Sequence, residues 1–249
     1  MAKPTLHFQR FEFKYFLPRS HARPLVSALR PHMIWDPYGT NGQGWYRVNS
    51  LYYDTPGFDC FWDKEAGVAD RKKLRLRYYG DTLSPDTEIY AELKRKQNEL
   101  VIKDRVNLRL GDAGGPRLQK KFLDMHKANR DNEFMQEIAW FTRRNSLRPK
   151  IFISYIRYAL LSKRNREFRV TVDENIESRE QFDFISPPGH AAKIYQDGVV
   201  VEVKFNNVLP GWFHPILQKF NLQRLAYSKY GNSIRHLIPV FDDNNYKPV

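Results

Sequence analysis

The segment ADRKKLRLRYYG, residues 69–80, has an alternation of side chains that constrains the fold of the whole chain. Successive side chains of a β-strand point to opposite faces. One face of this segment collects the cations Arg71, Lys73, Arg75 and Arg77. The other face carries Leu74, Leu76 and Tyr78. The segment therefore predicts a strand of a sheet that has one apolar face and one strongly basic face.

Similar alternation predicts most of the chain to be β-structure. Strands are predicted over residues 6–17, 45–55, 70–80, 87–97, 99–110, 150–163, 167–176, 179–185 and 198–205. Helices are predicted over residues 18–31, around Leu118–Met125, around Phe134–Phe141 and in short pieces after Pro210. Since no internal repeat or low-complexity linker interrupts the chain, we expect a single domain over residues 1–249.

The charge balance restricts the class of partner. The 249 residues carry a formal net charge of +13, which favours anionic partners such as nucleic acid, an anionic membrane or a phosphate-rich small molecule. A single cysteine, Cys60, excludes an internal disulfide framework and thiolate zinc clusters. No apolar run approaches the roughly 20 residues that span a bilayer. We therefore expect a cytoplasmic protein without a membrane segment.

The polar faces of neighbouring strands carry runs of one charge sign, and two interpretations fit them. An antiparallel sheet with one apolar and one solvated charged face is common. Alternatively, helices cover the apolar face outside, the sheet closes, and the charged face lines a lumen. A charged interior is costly unless its charges are paired or neutralised by a ligand. A basic lumen with a few carboxylates would suit a polyanion together with a divalent metal.

Eight segments in order resemble the catalytic domain of the vacuolar transporter chaperone (VTC) polyphosphate polymerases, which are triphosphate tunnel metalloenzymes. They are RFEFKY, SLYYDT, RKKLRLRYYG, AELKRK, YIRYAL, FRVTVD, VVVEVKF and AYSKYG, which span about residues 8–235. The resemblance implies an α+β fold: an antiparallel β-tunnel, that is, a closed β-barrel, with a charged lumen and helices packed outside.

The resemblance also implies roles for individual residues. The predicted catalytic residues are Arg75, Arg77, Lys94, Arg157, Arg169 and Glu202. The predicted phosphate ligands are Lys14, Arg75, Arg77, Lys94, Lys103, Arg157, Arg169, Lys204, Ser228 and Lys229. Glu202 in VEVK is the position expected to hold Mn²⁺ or Mg²⁺, and the other strand cations, such as Lys73, are expected at the rim.

The first strand departs from the pattern of many tunnel enzymes, because Arg10 replaces the first carboxylate of E-x-E-x-K before Glu12 and Lys14. This favours the polymerase branch over two-metal hydrolysis. The leading hypothesis is therefore an NTP-dependent polyphosphate polymerase that transfers the γ-phosphate of ATP to a growing chain. The alternatives are a metal-dependent tripolyphosphate or nucleoside-triphosphate hydrolase, a polyphosphate-binding module without turnover, and a nucleic-acid-binding protein. The last lacks a recognition motif, and a tunnel would exclude a duplex.

Overall fold

The computed structural model describes residues 10–39, 44–98, 100–112, 132–185, 191–194 and 198–238. Within them the fold is α+β and consists mostly of antiparallel β-sheet with a few helices, as predicted. The predicted helix around Leu118–Met125, the loop at 186–190 and the start of the first predicted strand at 6–9 lie outside the described residues.

The strands are β1 (Arg10–Pro18), β2 (Met33–Trp35), β3 (Trp45–Asp54), β4 (Arg71–Tyr79), β5 (Glu88–Gln97), β6 (Leu100–Arg109), β7 (Arg148–Ser162), β8 (Arg169–Glu180), β9 (Ala191–Lys193) and β10 (Gly198–Asn206). The α-helices are α1 (Ala22–Leu29), α2 (Asp59–Glu65), α3 (Glu133–Arg144), α4 (His214–Lys219) and α5 (Lys229–Leu237). Single 3₁₀ turns cover Arg19–His21 and Gly211–Phe213.

The chain forms two compact units, and neither is continuous in sequence. The first unit comprises Met1–Tyr46, Tyr155–Ile176 and Tyr195–Tyr227. The second unit comprises Arg47–Ser154, Glu177–Ile194 and Ser228–Val249. The single domain over residues 1–249 stays a prediction.

The first unit contains the antiparallel pairs β1–β10 and β10–β8. Valines at alternate positions of β8 and β10 point into its core, where Val201 and Val203 are fully buried. Leu25 and Leu29 of α1 and Ile216 of α4 pack against the same core. The apolar face of these strands is therefore covered by helices, and the other face carries the charged side chains.

The second unit contains the antiparallel pairs β3–β4, β4–β5 and β5–β6. Leu74 and Leu76 of β4 are fully buried, as the alternation predicts, together with Ile89 and Leu93 of β5. Helix α3 packs on this core through Ile138 and Phe141. Its N-terminus is capped by Asn132, whose side chain accepts a hydrogen bond from Met135 N at 3.1 Å.

Among the residues that the structure describes, the sheet is not closed into a barrel, so the predicted closed β-barrel was wrong for this part of the chain, and the tunnel stays a prediction. Within the described residues, the hydrogen-bonded path of strands ends at β1, which pairs with β10, and at β6, which pairs with β5. Alternation requires only that one face be apolar and the other charged, which both open and closed sheets satisfy. Closure depends on pairing between the edge strands, and the hydrophobic pattern of single strands does not encode it.

Element boundaries differ from the prediction in two further places. The separate strand predicted over 179–185 was wrong, because residues 179 and 180 continue β8 and residues 181–185 are not strand. The short strands β2 and β9 were missed, since three residues are too few to establish an alternating pattern.

Candidate functional site

A buried carboxylate on β5 organises the cations of the second unit. Glu92 is 2% exposed, and the Arg75 Nε atom lies 2.6 Å from its Oε2 atom. The Lys103 Nζ atom lies 2.5 Å from Glu92 Oε1, and the Arg77 Nη1 atom lies 3.8 Å from Glu92 Oε2. We call these four residues the Glu92 cluster.

The strand register explains the Glu92 cluster. Arg75 stands directly opposite Glu92 in the β4–β5 pair. Lys103 stands opposite Lys94 in the β5–β6 pair, and Lys94 follows Glu92 by two residues on the same face of β5. Burial alone would raise the pKa of Glu92, but Arg75, Arg77 and Lys103 hold it well below its usual range. One ionised carboxylate thus faces three cations.

Two hydroxyl groups of β3 orient the arginines. The Arg75 Nη1 atom donates a hydrogen bond to Tyr52 Oη at 2.9 Å, and Arg77 Nε donates to Ser50 Oγ at 3.1 Å. Burial would raise the pKa of Tyr52, but the positive charges of Arg75 and Arg77 outweigh it and lower the pKa to about 8. A buried phenol that ionises this easily reports an excess of positive charge around it.

A row of three lysines crosses neighbouring strands and includes Lys103 of the Glu92 cluster. Lys73 of β4 pairs with Lys94 of β5, which in turn pairs with Lys103 of β6. Burial lowers the pKa of Lys73 to about 8, and burial also lowers the pKa of Lys103 to about 8 despite the nearby Glu92. Like charges directly opposite each other destabilise a sheet. An anion bound across these three lysines would relieve their repulsion.

Helix α5 begins beside the same face. Ser228 caps the helix by accepting a hydrogen bond from Gly231 N at 3.2 Å, and Lys229 is the first helical residue. The Tyr230 ring stacks on Tyr52 with centroids 5.1 Å apart, and its hydroxyl donates to Asp54 at 2.5 Å. The fully buried Asp54 fixes the start of α5 to the end of β3.

The charges of the first unit are arranged differently. The Lys204 Nζ atom lies 2.6 Å from Glu202 Oε1 and 3.5 Å from Glu12 Oε2. The Lys14 Nζ atom lies 3.0 Å from Glu12 Oε1 and donates to the carbonyl of Tyr227 at 3.2 Å. We call Glu12, Lys14, Glu202 and Lys204 the Lys204 cluster, in which opposite charges face each other across β1 and β10.

Two arginines of the first unit also have carboxylate partners. Arg157 donates two hydrogen bonds to Asp173, from Nε to Oδ1 at 2.6 Å and from Nη2 to Oδ2 at 2.8 Å. Asp173 is fully buried, which makes this a two-point buried ion pair. The Arg169 Nη2 atom lies 2.8 Å from Asp36 Oδ2.

The VTC domain family model matches residues 9–238. The chain belongs to the VTC domain family. This family is associated with polyphosphate polymerase activity, so membership indicates a polyphosphate-related enzyme in general. No curated protein matches the chain significantly. No helix in the described part of the VTC domain is long and apolar enough to cross a membrane.

The predicted site residues of the VTC domain are divided between its two units. Arg75, Arg77, Lys94, Lys103, Ser228 and Lys229 belong to the second unit, whereas Lys14, Arg157, Arg169, Glu202 and Lys204 belong to the first. Their roles in phosphate binding and catalysis stay predictions. Lys73, which was expected at the rim, is partly buried, and its ammonium group lies 4.4 Å from the centroid of the Tyr230 ring.

Sequence reasoning missed the residues that hold the cations in place. Glu92 and the partners Asp173, Asp36 and Tyr52 were not among the predicted site residues. A signal for Glu92 existed, because AELKRK follows RKKLRLRYYG closely enough to pair with it as an antiparallel neighbour. No comparable signal existed for Asp173, whose importance depends on its burial.

The metal site stays a prediction. Among the residues that the structure describes, no group of three or more His, Cys, Asp or Glu side chains is placed to hold a metal ion. Glu202 and Glu12 nevertheless lie on either side of the Lys204 ammonium group, so these two carboxylates already accommodate one cation between them.

Proposed function

We propose that this VTC domain is an NTP-dependent polyphosphate polymerase, which transfers the γ-phosphate of ATP to a growing polyphosphate chain. The observation that supports this most directly is the excess of cations around Glu92. Two arginines and Lys103 share this one buried carboxylate, and two further lysines, Lys73 and Lys94, stand in a row with Lys103. A chain of phosphates would supply the negative charge that Glu92 alone does not.

The side-chain types suit phosphate. The guanidinium groups of Arg75 and Arg77 present several N–H donors in a fixed plane, which match phosphate oxygens two at a time. Lys94 and Lys103 act as point charges that can follow a moving chain. In the proposed mechanism Arg75, Arg77 and Lys94 bind phosphates and stabilise the charge that develops during transfer.

Phosphoryl transfer depends mainly on positioning and electrostatic stabilisation, so no covalent nucleophile is required. Tyr52 and Ser50 hold the two arginines in orientation, and Glu92 keeps their guanidinium groups against the sheet. Pre-orientation of this kind lowers the reorganisation that the transition state would otherwise need.

The first unit would contribute further phosphate contacts. Asp173 occupies two of the five N–H donors of Arg157, so the remaining donors can meet a phosphate oxygen. Arg169, Lys14 and Lys204 would bind phosphate in competition with their present carboxylate partners.

A divalent cation fits the Lys204 cluster. Mg²⁺ and Mn²⁺ are commonly bound by one or two carboxylates together with substrate phosphates. Glu202 and Glu12, whose carboxylates now pair with the Lys204 ammonium group, would hold the ion. Such an ion supplies positive charge that polarises phosphate oxygens.

The test is to incubate the protein with ATP and Mn²⁺ and to resolve the products on a gel that detects long phosphate chains. We expect chains with wild type and a sharp loss with Glu202→Gln, which should keep phosphate binding. Release of free phosphate without chains would indicate the hydrolase instead. Binding of tripolyphosphate without any turnover would indicate a binding module.

A further inference from the structure

An aromatic surface lies next to the Glu92 cluster on the charged face of β4 and β5. Tyr90 stands directly opposite Arg77, and Tyr79 lies two residues beyond Arg77 on the same face. The rings of Tyr79 and Tyr90 meet edge to face, with centroids 5.5 Å apart. The Arg105 guanidinium carbon lies 5.2 Å from the centroid of the Tyr90 ring. We call Tyr79, Tyr90 and Arg105 the aromatic platform.

The platform is accessible to solvent, and the ring of Tyr90 is held in place. Tyr79 is 37% exposed, and Arg105 is exposed. The hydroxyl of Tyr90 donates a hydrogen bond to Glu88 Oε2 at 2.5 Å, which fixes the ring beside Arg77. This hydrogen bond raises the pKa of Tyr90 to about 12, so the phenol adds no negative charge beside a bound phosphate at neutral pH.

The spacing matches a nucleotide laid along β4. Tyr79 lies four positions along β4 from Arg75, which corresponds to about 14 Å along a strand. The cations at Arg75 and Arg77 would take phosphates. Tyr79 at the far end of this span, together with the Tyr90 ring that it contacts, would take a flat, uncharged group. Aromatic side chains and arginine planes are the surfaces on which nucleobases stack, with little preference between bases.

We propose that the aromatic platform binds the nucleobase of the nucleoside triphosphate whose phosphates lie on Arg75 and Arg77. This inference rests on the proposed function, because it assigns the donor substrate of that site. The triphosphate is still the main determinant of affinity in this proposal, and stacking adds affinity for any nucleotide over inorganic triphosphate.

The experiment compares ATP with inorganic tripolyphosphate by calorimetric titration of wild type and of Tyr79→Ala/Tyr90→Ala. We expect the variant to bind ATP about 10-fold to 100-fold more weakly, which is the scale of a lost base stack. Its affinity for tripolyphosphate should stay within about 2-fold of wild type, because that ligand has no base. GTP and CTP should lose affinity as ATP does.

Two further variants separate stacking from folding and from hydrogen bonding. Tyr79→Leu/Tyr90→Leu keeps apolar bulk but removes the aromatic faces, so it should reproduce the loss for ATP even if the alanine variant is unstable. Tyr90→Phe keeps the ring and should retain ATP affinity. Tyr38→Ala removes a tyrosine of the first unit that is 85% exposed and should change neither ligand's affinity.

The outcomes distinguish this inference from the proposed function. If wild type binds tripolyphosphate but the leucine variant binds ATP normally, the platform is not a base site and the phosphate site stands. If the variant weakens both ligands equally, the tyrosines support the phosphate site alone and the inference is overturned. If wild type binds neither ligand, both the inference and the proposed function fail.

Discussion

The two units of this VTC domain contain the same charged residue types, but they differ in how many cations share one carboxylate. In the first unit the two predicted site arginines each have their own carboxylate partner: Asp173 for Arg157 and Asp36 for Arg169. In the second unit Arg75, Arg77 and Lys103 all converge on Glu92. In the first arrangement each arginine has a carboxylate of its own, whereas in the second three cations share one carboxylate.

This difference teaches that basic residues on a strand face have two distinct uses. A buried arginine with its own carboxylate mainly specifies the fold, because loss of either partner leaves an uncompensated charge. For several cations around one carboxylate we propose a different use, in which the carboxylate holds them in position for an anionic ligand such as phosphate. The following predictions test whether the two arrangements behave in these two ways.

The largest expected effect concerns Glu92. Glu92→Gln removes the carboxylate that three clustered cations share, and we expect the free energy of unfolding at pH 7 to fall by about 3–5 kcal/mol. Urea unfolding of wild type and variant would measure this.

Glu12→Gln is the matched control in the first unit, because Lys204 keeps Glu202 as a partner; it should cost about 1 kcal/mol or less. Tripolyphosphate should restore more stability to Glu92→Gln than to Glu12→Gln. Equal effects of both changes on stability would mean that the cations around Glu92 are not mutually repulsive.

The next comparison sets an exclusive ion pair against a shared one. Arg157→Ala leaves the fully buried Asp173 without its two-point partner and should cost about 3–5 kcal/mol of unfolding free energy. Arg75→Ala leaves Glu92 with Arg77 and Lys103 and should cost about 0.5–1.5 kcal/mol.

Arg157→Lys serves as a control that keeps the charge and loses the planar fork, and its cost should be intermediate. Unfolding by urea measures all three variants. The distinction between the units would be lost if Arg75→Ala proved as destabilising as Arg157→Ala.

Much of the framework follows from the sequence because it depends on short-range periodicity. Leu74 and Leu76 had to point to one face and Arg75 and Arg77 to the other, and the second unit is built in this way. The strands β3 to β6 were located within one or two residues for the same reason.

The remaining features depend on contacts between segments that are distant in sequence. Asp173 is significant because it is buried against Arg157, and Asp36 because it lies beside Arg169. Neither pairing is visible within one strand. Likewise, the path of described strands ends at β1 and β6 because of which strands pair, and the alternation within a strand does not predict its pairing partner.

The pH dependence of ligand binding should show the positive excess of the second unit. The pKa values of Tyr52, Lys73 and Lys103 are all about 8, so each group loses a proton between pH 7 and pH 9. Each loss lowers the charge of the site by one. We expect the affinity for tripolyphosphate to fall about 10-fold over this range, or ~1.4 kcal/mol.

Calorimetry at pH 7, 8 and 9 would measure the decline. Tyr52→Phe cannot ionise, so its affinity for tripolyphosphate should decline less steeply with pH than that of wild type. Lys103→Arg keeps its charge up to pH 9 and should also show a less steep decline. A pH-independent affinity would show that these groups do not face the bound phosphates.

The central claim is that Arg75 and Arg77 form a phosphate site, and thermal unfolding in the presence of tripolyphosphate tests it most directly. At about 100 times its dissociation constant a ligand of the folded state contributes ~2.7 kcal/mol. In a chain of this size that should raise the Tm of wild type by about 5–10 °C. Leu74→Ala should lower the starting Tm through a buried cavity but keep the rise. Arg75→Ala/Arg77→Ala should abolish the rise; an unchanged rise in this variant, or none in wild type, would contradict the account.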